Sequence, residues 1–169
     1  MLSSRLRGAV ILAAVDWNFL RQRVHHLAAG MAEAGIKVLF VENTAARSPR
    51  LADLPRITKR LEAAIFRLPG RRGEPLPENL VVCSPLAAPW PYNKVAVAWN
   101  FSLLKQRVRR FLEEERLRPE EVLLFTCLAT PLALRLVESF PWARVVYDVV
   151  SDPKLVDARR AFSEKPLLR

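Results

Sequence analysis

Within the first 43 residues a short apolar run, a polar corner, an amphipathic stretch, a glycine and a second apolar run follow one another. The first run is Val10-Ile-Leu12 and the second Val38-Leu-Phe-Val41. Both are too short for helices and rich in β-branched or aromatic residues, so they read as strands. Between them Leu20, Val24, Leu27, Ala28 and Met31 fall at helical spacing, and Gly35 suits the left-handed residue that ends a helix. A strand, a helix and a strand in this order make a βαβ unit. Ligands of open α/β sheets sit at the carboxyl ends of the strands, which directs attention to the corner Val15 to Gln22.

That corner lacks glycine. The glycines of the chain are Gly8, Gly30, Gly35, Gly70 and Gly73, so no Gly-x-Gly-x-x-Gly follows the first strand. A dinucleotide pyrophosphate needs glycine there for close backbone approach, and no glycine-rich loop ending in Lys-Ser/Thr occurs elsewhere. An NAD or ATP site of either kind is therefore not expected.

The alternation continues along the chain. Leu80 to Ser84 reads as a third strand, followed by the proline-rich loop Pro85 to Pro91. Leu103, Leu104, Val108, Phe111 and Leu112 mark a long helix that stops before Pro119, and Val122 to Thr126 a fourth strand. Thr130-Pro131 supplies an N-cap and a first-turn proline for a helix ending near Phe140-Pro141. Ala143 to Tyr147 is a fifth strand with Asp148 and Asp152 at its carboxyl end. This order predicts an α/β fold, a doubly wound and mainly parallel sheet with helices on both faces, in a single domain over 1–169. A chain of 169 residues can bury roughly 70% of its unfolded surface.

Charge is concentrated in one place. Of a net charge of +10, the segment from Asn43 to Arg72 carries +6: eight basic residues (Arg47, Arg50, Arg56, Lys59, Arg60, Arg67, Arg71, Arg72) against Asp53 and Glu62. Leu54, Ile57, Leu61, Ala64, Ile65 and Leu68 form an apolar stripe there, which predicts an amphipathic basic helix over 54–68. An anionic membrane face or a phosphorylated ligand fits such a patch better than nucleic acid, since the chain has no RNA-binding aromatic signature and no helix-turn-helix pattern. No apolar stretch approaches the roughly 20 residues of a membrane span. Cys83 and Cys127 have no partner at metal spacing and read as buried thiols of a reducing cytosol.

The corner residues carry competing readings. With Asp16 or Asn18 as N-cap, Arg21 falls in or beside the first helical turn, where it can share an anion with free backbone N–H groups or be solvated or paired to Asp16. Adjacent His25 and His26 diverge by ~100° and cannot jointly ligate a metal, so one fills the core and the other lies on the surface. Trp17 is either a loop anchor or a stacking platform for a sugar. Asp148 is expected at the end of its strand facing the crevice, because an aspartate inside it would be a costly buried charge, and Asp152 equally suits a helix cap.

Three stretches together carry a family resemblance: Asp16-Trp-Asn-Phe-Leu-Arg-Gln-Arg-Val-His-His-Leu-Ala28, Val38-Leu-Phe-Val-Glu-Asn43 and Val145-Val-Tyr-Asp-Val-Val-Ser-Asp152. They resemble the amino-terminal half of bacterial group 1 glycosyltransferases of the GT-B fold, similar to those that build surface polysaccharides such as teichuronic acid. In that family a proline often stands at the place of Val24, and a longer acidic stretch often follows the fifth strand, where this chain has Pro153-Lys-Leu-Val-Asp-Ala-Arg-Arg160.

The resemblance implies a Rossmann-like acceptor-side domain. It places the nucleotide-sugar donor on a second, carboxy-terminal domain absent from this chain, with no cofactor and no metal bound in this one. A sixth strand is not evident, so the expectation is a truncated half that is inactive alone. The crevice would be formed by Asp16, Trp17, Arg21 and Gln22, by Cys127 to Thr130, and by Tyr147 to Asp152, with Asp16 or Asp148 as base. The expected partner is a sugar or lipid-linked acceptor. Expected localisation is cytoplasmic, peripheral on the inner membrane face through Arg56, Lys59, Arg60 and Arg67. The rival reading is a non-catalytic α/β module that holds a phosphorylated or anionic ligand in the same crevice.

Overall fold

A computed structural model of the protein describes residues 6–18, 20–42, 76–84 and 93–149. Arg56, Lys59, Arg60, Arg67 and Asp152, and with them the expected basic helix over 54–68, lie outside the described residues. The elements are β1 (Gly8–Leu12), α1 (Arg23–Glu33), β2 (Lys37–Val41), β3 (Leu80–Cys83), α2 (Lys94–Glu114), β4 (Val122–Thr126), α3 (Pro131–Val137) and β5 (Arg144–Tyr147).

The strands form one sheet in the order β3-β2-β1-β4-β5, and every pairing is parallel. The chain therefore winds outward from β1 to β3, crosses back through α2, and winds the other way through β4 to β5. The direction of winding reverses between β1 and β4, the topological switch point of a doubly wound fold. Residues on β1 alternate between two cores, as a pleated strand requires. Ala9 and Ile11 pack with Phe40, Phe125 and the α1 stripe Val24, Ala28 and Ala32. Val10 and Leu12 pack with Leu104, Val108 and Phe111 of α2 and Leu132 and Leu136 of α3. Each large side chain so buried contributes roughly 1.5–3 kcal/mol.

Two helix boundaries differ from the spacing-based expectation. α1 starts at Arg23 with Gln22 in extended conformation as N-cap, so neither Asp16 nor Asn18 caps it and Arg21 precedes the helix. Leu20, counted as part of the apolar stripe, lies in the corner and is 74% exposed. α3 ends at Val137, short of Phe140-Pro141. The indole N–H of Trp142 donates to the Leu136 carbonyl at 3.0 Å and takes an acceptor of the last turn from outside. Its start matches: Thr130 Oγ1 accepts from Ala133 N–H at 3.3 Å, with Pro131 in the first turn.

Gly35 ends the α1 turn at φ +83°, and a Cβ added there meets nothing within 4 Å. Gly30, inside α1, is equally open. The two substitutions should therefore differ in sign for backbone reasons alone. Gly35→Ala is expected to lower stability in urea unfolding by about 1–2 kcal/mol, and Gly30→Ala to raise it by about 0.5–1 kcal/mol. Equal effects at both positions would contradict the observed helix end.

Candidate functional site

The carboxyl ends of β1, β2, β4 and β5 form one rim, and the β1–α1 corner crosses it. The corner is held by its backbone. Trp17 N–H donates to Glu42 Oε1 at 2.7 Å, at the carboxyl end of β2. Ser84, just past β3, donates its hydroxyl to the other oxygen, Glu42 Oε2. One buried carboxylate, 7% exposed, thus ties together the corner and the ends of β2 and β3.

His25 holds the same corner from below. Its Nδ1 accepts from the Gln22 N–H at 2.9 Å, which leaves Nε2 as the donor to the Asp16 carbonyl at 3.2 Å. These bonds define the Nε2-protonated neutral tautomer. The ring is fully buried and stacks on Phe40 at 5.4 Å between centroids, while Trp17 meets both rings edge-on. His26 is exposed. Of the two histidines, one is core filling and the other surface, as their adjacent spacing implies.

A second polar group gathers where β4 and β5 end. Asp148, the first residue past β5, continues the ladder by donating its N–H to the Thr126 carbonyl at 2.9 Å. Nη2 of Arg23 lies 2.6 Å from each of its carboxylate oxygens. The Cys127 thiol sits 3.9 Å from Asp148 Oδ2. Burial pushes this thiol up to about 11, the Asp148 carboxylate adds to the rise, and Arg23 opposes it. Burial also raises the Cys83 thiol, against the lowering effect of Arg107. Both cysteines are half-buried rather than fully enclosed.

Asp16, Arg21, Gln22, Tyr147 and Asp148 all lie on the rim. Asp16, Tyr147 and Asp148 are half-buried, and Arg21 and Gln22 are exposed. Two residues expected to bind substrate do other work. Trp17 is 5% exposed, its ring enclosed by His25 and Phe40 with the Arg21 guanidinium 4.7 Å from its centroid; it is a loop anchor, with no face left for a sugar. Thr130 is 2% exposed and its hydroxyl caps α3. Composition and period did not reveal Glu42 or Arg23 as rim residues, whereas Cys127 stands in the stretch Cys127 to Thr130 expected to line the crevice. The only available signal was an acid directly after an apolar strand, and its partners are far away in sequence.

Among the described residues no group of three or more His, Cys, Asp or Glu is placed to hold a metal, and no helix is long and apolar enough to cross a membrane. A shallow depression of about 430 Å³ between Ala32, Glu33 and Leu76 to Asn79 lies at the opposite end of the sheet from the rim. Fold and rim define a doubly wound α/β protein whose polar side chains converge on the switch point. No family model, curated protein or solved structure matches the chain.

The Cys127 environment makes a prediction with a definite sign. Its thiol titrates near 11 against an ordinary 9.0, so the folded state holds the proton more tightly than the unfolded one. The stabilisation is complete below pH 9 and should fall away between pH 9 and about 11. Alkylation of Cys127 by iodoacetamide, followed by mass spectrometry, should be far slower at pH 8 than that of a free thiol. Asp148→Asn should speed it and Arg23→Gln should slow it further. A free-thiol rate in the parent protein, or the opposite order of the two variants, would contradict this environment.

Proposed function

We propose that this chain is the acceptor-binding domain of a sugar-nucleotide-dependent glycosyltransferase of the GT-B class, acting in cell-surface polysaccharide or glycolipid synthesis. The observation that supports this reading is the meeting of the three stretches that carry the resemblance. Trp17 of the first bonds Glu42 of the second, and Arg23 of the first pairs with Asp148 of the third. Residues more than a hundred positions apart thus share one rim at the switch point, where ligands of such folds bind.

Transfer to a sugar hydroxyl needs a base at the acceptor. Among the described residues Asp16 and Asp148 are the carboxylates of the rim that are not enclosed, and both belong to the resembling stretches. Asp16 has its carbonyl fixed by His25, so its backbone is set before any ligand arrives. Asp148 is already engaged by Arg23, which must yield or turn to the acceptor for Asp148 to accept a proton. The donor nucleotide-sugar belongs, in this reading, to a further domain.

The rival class is a non-catalytic module for a phosphorylated ligand. It is favoured by the exposed Arg21 and Arg23, which stand just before and at the start of α1, where free N–H groups attract anions. Inorganic phosphate or a sugar phosphate would then bind without turnover, and Arg21→Ala would weaken that binding.

The transferase reading is tested by following labelled sugar from UDP- and GDP-sugars with the protein as its gene encodes it. Asp16→Asn or Asp148→Asn should reduce turnover by at least about 100-fold. Full activity in both variants removes these residues as base, and no transfer to any sugar or lipid-linked acceptor removes the transferase.

The peripheral-membrane part of the proposal rests on Arg56, Lys59, Arg60 and Arg67 beside an apolar stripe in the sequence. Each basic residue near anionic lipid adds about 1 kcal/mol, screened by salt. Binding to anionic liposomes should weaken as salt rises and disappear on charge reversal at Arg56, Lys59 and Arg60. Indifference to such liposomes at low salt leaves the segment a solvated face.

A further inference from the structure

Among the described residues Glu42 is the buried carboxylate, and no role in proton transfer has fallen to it. Its two oxygens are used differently. Oε1 is committed to the backbone: the Trp17 N–H donates to it at 2.7 Å and fixes the corner. Oε2 is covered by the Ser84 hydroxyl, and Ser84 is exposed. A serine hydroxyl turns about one side-chain bond, so Ser84 can leave Oε2 without moving the backbone. Any incoming hydroxyl that takes its place keeps the number of hydrogen bonds to the carboxylate unchanged. Such bonds to an ionised acceptor are about twice as strong as neutral ones.

The position adds a second argument. Glu42 follows β2 at its carboxyl end, the place where an acid in nucleotide-binding α/β sheets holds a sugar hydroxyl. Without glycine in the β1–α1 corner a pyrophosphate cannot approach it closely. What remains is a ligand that offers hydroxyls to β2 without a pyrophosphate over the corner.

We propose that Glu42 Oε2 and Ser84 form a subsite for a hydroxyl of a sugar or polyol, with the Ser84 hydroxyl as its exchangeable internal stand-in. The ligand class rests on the acceptor reading above; the placement rests on Glu42 and its partners alone. Because the other oxygen holds Trp17, occupancy of the subsite is transmitted to the corner that carries Asp16 and Arg21. The Trp17 amide proton is a direct reporter of that contact.

The experiment is titration of the isotopically labelled chain with methyl hexopyranosides and with ribose, read from amide shifts. Trp17 and Ser84 should shift in a saturable way. Ser84→Ala removes the internal competitor and should tighten binding severalfold, while Glu42→Gln keeps the shape and an acceptor for Trp17 but loses the charge and should weaken it about tenfold. Unchanged amide shifts of β4 and β5, away from the substitution, in Glu42→Gln without ligand show that the fold is kept, and Ser84→Ala gives the opposite sign if Glu42→Gln does not fold. The subsite is overturned if neither probe binds, if both variants bind as the parent does, or if the shifts are confined to Cys127 and Asp148. That last outcome leaves the acceptor reading in place without Glu42. Binding at Glu42 with no transfer in the labelled-sugar assay removes the transferase and keeps the subsite.

Discussion

β1 has no solvent side. Ala9, Val10, Ile11 and Leu12 are each at most 1% exposed, because β2 and β4 flank the strand and helices cover both of its faces. A parallel strand cannot be joined to its neighbour by a tight hairpin; each neighbour requires a crossover, and each crossover helix must bury an apolar stripe on a sheet face. Right-handed crossovers running outward in both directions from β1 put α1 on one face and α2 and α3 on the other. The switch point at the carboxyl end of β1 follows from that winding. The place where ligands of such folds bind is thus a consequence of burying one strand completely.

The corner above β1 has a different stabilising principle. It contains little regular structure, yet its backbone is held by two side chains from elsewhere. Glu42 takes the Trp17 N–H, and His25 takes the Gln22 N–H while giving its own proton to the Asp16 carbonyl. A buried polar group left unpaired costs about 1–3 kcal/mol, so these bonds are obligations as much as gains. Trp17, His25 and Phe40 fill the space beneath. The result separates structure from chemistry: the enclosed groups hold the backbone, while Asp16, Arg21 and Arg23 remain accessible.

This separation explains what could be read in the sequence. Val10 to Leu12, Val38 to Val41 and Val122 to Thr126 announce buried parallel strands by continuous apolar runs, and Thr130-Pro131 announces a helix start by local chemistry alone. Both signals are local, and the sheet and the α3 cap follow them. The start of α1 was not legible, because Leu20 continues the helical spacing while the N-cap is decided by His25 reaching back to Gln22. Trp17 was open to two readings, and only its contact with His25 and Phe40 decides for the anchor. The roles of Glu42, Cys127 and Arg23 arise from partners 25, 21 and 125 residues away, which no period or motif encodes. Tertiary pairing of polar groups is the part of the site that a linear pattern does not carry.

The Arg23–Asp148 pair shows how such pairing can matter without adding much stability. Arg23 opens α1, where the helix dipole disfavours a cation by a few tenths of a kcal/mol. Asp148 offsets that penalty, and its own charge lies near a helix start that favours anions. With the Arg23 side chain 71% exposed, water screens the pair, and its worth is about 0–1 kcal/mol. Its effect is positional. Among the described residues β5 is the outermost strand on its side of the sheet, with Val145 and Val146 partly open to solvent, and α3, which precedes it, has only seven residues. An ion pair from α1 to the residue just past β5 joins this lightly covered edge to the opposite winding of the fold, across the switch point. The rim therefore has its two halves connected by an exposed ion pair that contributes position more than stability.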